Sequence, residues 1–90
     1  MVSKKELKKA LEEAGSSHGD YEVNILNGVY DDDWPLWYAA FLAGKLGLRP
    51  SVMTRLLKEA QESHEKNNPK SDWTVYYSEF IIEKLEAGYE

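Results

Sequence analysis

The chain has 90 residues, room for one small domain and no more. It carries 16 acidic against 11 basic residues, a net charge of −5, and its one basic cluster (Lys4, Lys5, Lys8, Lys9) is matched at helical spacing by Glu12 and Glu13, a balance that excludes a protein tracking nucleic-acid phosphates. Cysteine is absent and no run approaches the ~20 apolar residues of a membrane span, which excludes a disulfide scaffold, a Cys/His zinc framework and a helical membrane protein.

The N-terminus is basic but has no apolar centre of the signal-peptide kind, so the expected compartment is the cytoplasm. With no disulfide, stability is expected from an aromatic-rich core, built from three Trp, six Tyr and two Phe, or from a second chain.

Ser3-Lys4-Lys5-Glu6 has the form of a capping box opening a first helix. Leu7, Leu11, Ala14, His18, Tyr21 and Ile25 then follow a 4-3-4-3-4 rhythm, one seam of an amphipathic helix. Gly15 and Gly19 each cost about 1 kcal/mol against Ala, but the seam keeps its phase across both. The spacing therefore predicts one long helix over 4–26, ended by Asn27-Gly28, rather than a break near Gly15. Asp31-Asp32-Asp33 suits the start of a second helix over 34–46, with Pro35 in its first turn. That helix carries Trp34, Trp37, Tyr38, Phe41, Leu42 and Leu46, and Gly47-Leu48 reads as a glycine C-cap with its apolar follower. Arg49-Pro50-Ser51 starts a third helix whose seam is Met53, Leu56, Leu57, Ala60 and His64, stopped by Asn67-Asn68-Pro69. Ser71-Asp72 opens a fourth, with Trp73, Tyr76, Tyr77, Phe80, Ile81 and Leu85 on one arc and Gly88 at its end. No alternating runs flank a tight turn, so no strand pair is expected.

Self-similarity is the strongest pattern. Residues 33–46 align without gaps on 72–85 with six identities (Asp, Trp, Tyr, Phe, Lys, Leu), and residues 11–18 align on 57–64 with five, including His18 on His64. The two offsets differ by seven residues, about two helical turns, placed between His18 and Asp33 and expected to lengthen the first helix without rotating its seam. The expected fold is all-α: one domain over 1–90, made of two helical hairpins, one over about 3–47 and one over about 50–88, packed as a four-helix bundle with an approximate internal two-fold axis.

The strings Ser-His-Gly-Asp-Tyr-Glu (17–22) and Asp-Asp-Trp-Pro-Leu-Trp-Tyr-Ala-Ala-Phe (32–41) resemble short uncharacterised bacterial proteins carrying Ala-His-x-x-Tyr-Glu followed by Asp-x-x-Trp-Pro-x-Trp-Tyr-Ala-x-Tyr. The likeness is clear in the first half and degenerate in the second, where Tyr21 and Glu22 become Asn67 and Asn68 and Pro35 becomes Thr74. That group has no established activity, so the resemblance implies the repeated unit and no chemistry.

Few residues suggest chemistry. His18 and His64 are the only histidines, and Glu22 lies one turn beyond His18, so His18, Glu22 and His64 are the candidates for a metal or proton-handling site. The bland reading is that each is a seam residue hydrogen-bonded to its neighbours. The three aspartates lack the oxygen spacing and central glycine of a calcium loop, and capping explains them better. Trp34, Tyr38 and Phe41, with Trp73, Tyr77 and Phe80, read as structural core; the alternative is that the rows Trp34, Trp37, Tyr38, Phe41 and Trp73, Tyr76, Tyr77, Phe80 line a ligand pocket. No nucleophile motif or glycine-rich phosphate loop is present, which leans against an enzyme. The expected function is a non-enzymatic interaction or assembly module without a cofactor, the alternative a metal- or small-ligand-binding protein using His18 and His64 with nearby carboxylates (Glu22, Asp20, Asp31 to Asp33). Val75, Ile82 and Tyr89 form a further apolar stripe on the fourth helix, matched by Leu36 on the second. Such a stripe predicts a homodimer or another protein partner. The competing expectation is that the first and third helices straddle the other two and cover these residues within one chain.

Overall fold

The computed structural model describes residues 2–88 and places 4 α-helices in chain order: α1 (Lys4–Asn24), α2 (Trp34–Leu46), α3 (Pro50–Asn67) and α4 (Trp73–Glu86). Ser3 and Glu6 close the capping box reciprocally, each backbone N–H donating to the other's side-chain oxygen at 3.1 Å. α1 passes through Gly15 and Gly19 without a break. It then unwinds through Asn27 (φ 55°) and Gly28 (φ 82°), where the Gly28 N–H donates to the Glu22 carbonyl at 2.8 Å. Ile25 falls beyond the last turn and is exposed, so the seam ends at Tyr21. Measured from its histidine, α1 is three residues longer than α3, and the rest of the seven-residue difference lies in the connection to α2. The seven-residue difference thus falls only in part within the helix.

The other ends follow their local chemistry. Gly47 takes the left-handed conformation (φ 71°) and donates to the Ala43 carbonyl at 3.0 Å, with half-buried Leu48 behind it. Pro50 occupies the first turn of α3. Asp72 caps α4, accepting from the Thr74 N–H at 2.9 Å and the Thr74 hydroxyl at 2.6 Å. Asp33, at the same place before α2, makes no side-chain cap, contrary to expectation; its neighbour Asp31 is engaged elsewhere.

α1 and α3 each pack against both α2 and α4, while the diagonal pairs stay apart. The four helices thus form a closed ring around one core, with a radius of gyration of 12.7 Å. About 12 Å is expected for a compact chain of this length. Leu7, Leu11, Leu42, Met53, Leu56, Leu57 and Ile81 are fully buried, and Ala10, Ala14, Ala39 and Ala60 let the backbones approach. The core is therefore aliphatic, not aromatic as composition suggested: Tyr38 and Tyr77 alone among the described aromatic residues are buried, while Trp34, Phe41, Trp73 and Phe80 pack half-buried against it. Ile82 is 6% exposed and belongs to this core, because α1 and α3 flank α4 on both sides. The proposed apolar stripe is broken there, while Val75 and Leu36 stay exposed and Tyr89 lies outside the described residues. No described helix is long and apolar enough to cross a membrane.

Candidate functional site

Half-buried Trp34 and Trp73 gather with buried Tyr38 and Tyr77 where the N-terminal turns of α2 and α4 meet the later turns of α1 and α3. The backbones of α2 and α4 are diagonal and do not touch, so only long side chains bridge them. Trp34 and Tyr38, one turn apart on α2, meet edge to face with centroids 5.2 Å apart, and Trp73 and Tyr77 on α4 do the same at 5.2 Å. Across the diagonal, Tyr38 meets Trp73 at 6.2 Å and Trp34 meets Tyr77 at 6.5 Å. Four rings thus close a cycle, two contributed by each of the helices.

A pocket of about 250 Å³ opens on this cycle. Its walls are Trp34, Tyr38, Trp73 and Tyr77, with His18 and Glu22 from α1, Gln61 from α3, and exposed Tyr30 at the rim. Burial pushes the Tyr77 phenol up to about 12 and raises that of Tyr38 as well, with nearby acidic side chains adding to both, so both are neutral hydroxyls at ordinary pH. Trp73 reaches its place because α1 offers no side chain there: a Cβ on Gly15 would lie 3.2 Å from Trp73 Cζ2 and 3.5 Å from the Tyr38 hydroxyl. Each indole is a partition. Trp73 separates the pocket from a shallow groove along Glu12, Gly15 and Ser16, and Trp34 separates it from one along Thr54, Lys58 and Gln61.

His18 is buried beside the pocket, its ring 4.9 Å from that of Trp37 and 5.2 Å from that of Tyr38. Its Nε2 donates to Asp31 Oδ2 at 2.8 Å, and its Nδ1 lies 3.8 Å from Glu22 Oε1. Glu22 Oε2 accepts the Asp31 N–H at 3.0 Å, and Asp31 Oδ1 accepts the Asp33 N–H at 3.0 Å. This cluster folds the α1–α2 connection back onto α1 and explains why Asp31 is unavailable as a helix cap. It also holds the Glu22 carboxylate in place on the pocket wall.

His64 does a comparable structural task without reaching the pocket. Its Nε2 donates to the Ser71 carbonyl at 3.0 Å, tying α3 to the segment before α4, and its ring packs on Tyr76 at 5.1 Å and Tyr77 at 5.8 Å. The candidate metal residues His18, Glu22 and His64 therefore do not form a ligand set: both Nε2 atoms are engaged with oxygen acceptors. Among the described residues no group of three or more His, Cys, Asp or Glu is placed to hold a metal ion. Of the residues singled out from sequence as site candidates, the structure brings His18, Glu22, Trp34, Tyr38, Trp73 and Tyr77 to one pocket and leaves His64, Trp37, Phe41, Tyr76 and Phe80 outside it. The contributions of Gln61, Tyr30 and Gly15 were missed. The available sign was the repeat alignment, in which Gly15 falls opposite Gln61 and each faces a tryptophan.

No protein-family model, curated protein or solved structure matches the chain.

Proposed function

We propose that this protein is a non-enzymatic binding module whose recognition site is the aromatic pocket spanned by α2 and α4. One observation carries the reading: the two tryptophans and two tyrosines that sequence places in the core also wall a pocket of about 250 Å³, two rings from each helix, the tyrosines buried and the tryptophans half-buried. Large apolar walls with a few convergent polar groups are the usual make-up of a ligand site. In this reading the two helix pairs are diverged copies of one unit. The equivalent positions Trp34/Trp73 and Tyr38/Tyr77 support it, since they share the pocket. The site would then exist once, at the junction of the copies, and not once in each. The absence of cysteine suits a cytoplasmic setting.

The test uses the three indole N–H signals of the labelled protein. Fragments of mixed chemistry at millimolar concentration should shift Trp34 and Trp73 and spare Trp37, which stacks on Phe41 at 5.8 Å and is not part of the wall. Shifts at none of the three, or at Trp37 alone, would end the proposal.

Self-association is a second reading, supported by six exposed large apolar residues: Val23, Ile25, Val29, Tyr30, Leu36 and Val75. Light scattering at micromolar concentration decides it. A dimer that Leu36→Glu dissociates supports the reading, and a monomer throughout removes it.

A further inference from the structure

Resting on the pocket reading, we propose that the pocket receives a quaternary ammonium group, such as a trimethylated amine. The walls supply what that group binds to. Three of the four ring contacts around the opening are steep, Trp34–Tyr38, Tyr38–Trp73 and Trp73–Tyr77 at 81°, 68° and 73°, and the fourth, Trp34–Tyr77, is tilted at 32°. None of these pairs is stacked in parallel, so no two of the rings lie face on face beside the pocket. A cation among such rings is attracted by their quadrupoles, most strongly by tryptophan.

Charge selects the sign of the ligand. The pocket wall includes the Glu22 carboxylate and no Lys or Arg. Glu22 is not a mobile surface acid. One oxygen accepts the Asp31 N–H at 3.0 Å, the other faces His18 Nδ1 at 3.8 Å, and the side chain is 27% exposed. The net charge of −5 adds a field that draws cations and repels anions. Both wall phenols are raised by burial, so their rings stay uncharged beside a cation.

Size and polarity select the alkylated form. At about 250 Å³ the pocket is smaller than the roughly 300–1,000 Å³ of sites that hold drug-sized molecules, which suits a head group. A primary ammonium has three N–H donors to satisfy, and a wall that is largely aromatic, with Glu22 and Gln61 as its main acceptors, meets only some of them, a cost a quaternary nitrogen avoids because it has none.

Choline and its neutral carbon isostere 3,3-dimethylbutan-1-ol distinguish charge from shape. A short peptide carrying one trimethyllysine, against the unmodified peptide, distinguishes a side chain from a free small cation as the source. The expected result is saturable binding of choline or of the trimethyllysine peptide, with shifts at the Trp34 and Trp73 indoles. Either cation should bind at least about tenfold tighter than its neutral or unmodified counterpart. Glu22→Gln, which keeps the wall's shape, should weaken it severalfold, and so should Trp34→Phe. Equal binding of choline and its isostere would overturn the ammonium proposal while leaving the pocket as a site for apolar ligands. Absence of binding by both cations, while other fragments shift Trp34 and Trp73, would overturn it and spare the broader reading. Silence of both indoles toward every compound would overturn both.

Discussion

The three glycines at helix-interior positions give a graded stability test, because their surroundings differ. Gly19 and Gly44 have no atom within 4 Å of an added Cβ, so replacing either with Ala changes only backbone entropy and helix propensity. Each should gain about 1 kcal/mol, which in a domain this small raises Tm by about 4–8 °C. At Gly15 the same gain is opposed. An added Cβ would sit 3.2 Å from Trp73 Cζ2, inside the roughly 3.5–4.0 Å optimum for carbon pairs, so the indole must retreat by a few tenths of an ångström. Trp73 is half-buried with open space on the pocket side and can move, but it loses packing on α1 and crowds the Tyr38 hydroxyl. Gly15→Ala should therefore end near neutral, at least about 0.5 kcal/mol short of Gly19→Ala, and should shift the Trp73 indole signal. Thermal and urea unfolding followed by circular dichroism measure the difference. In a Trp73→Leu background the gap between the two glycine variants should close. If Gly15→Ala stabilises as fully as Gly19→Ala and leaves the Trp73 signal unmoved, the indole is not seated on α1.

Truncating a half-buried Trp should cost less than truncating a smaller but enclosed residue: about 2 kcal/mol for Trp34→Ala against about 3–5 for Leu56→Ala, compared by urea unfolding. Asp31→Ala leaves the His18 donor and the Asp33 amide without their partner, which should cost about 1.5–3 kcal/mol and speed hydrogen exchange at Asp33, whereas exposed Asp32→Ala should do neither. Tyr77 is raised to about 12 in the folded state, so its contribution is full below the unfolded value near 10 and is lost as pH rises towards 12. Stability should fall across that alkaline window, and Tyr77→Phe should flatten the fall.

The helix ends were legible because each rests on local chemistry: the Ser3–Glu6 box, Gly47, Pro50 and Asp72 act within a turn of where they stand. The aliphatic seams of α1 and α3 were legible too, since Leu7, Leu11, Leu56 and Leu57 repeat at the helical period. At Ile82 the competing expectation holds, that the first and third helices cover the stripe within one chain; the dimer expectation takes a surface helix to bury a single stripe. A helix flanked by two others buries a wider arc, here from Tyr77 through Ile81, Thr74 and Ser78 round to Ile82. The place of the tryptophans was illegible for a related reason. It depends on the gap between the diagonal helices α2 and α4, which no periodicity encodes. The sequence marks Trp34 and Trp73 as equivalent and large. It does not say that the space between them stays partly open.

Ring-to-ring nuclear Overhauser effects in solution test most directly whether that space is walled by both halves of one chain. The structure predicts cross-peaks between Trp34 and Tyr77 and between Tyr38 and Trp73, whose centroids lie 6.5 and 6.2 Å apart. These should persist within a single chain when isotope filtering separates intramolecular from intermolecular contacts. Finding only the one-turn pairs Trp34–Tyr38 and Trp73–Tyr77, or finding the cross-pairs between different copies, would contradict the pocket.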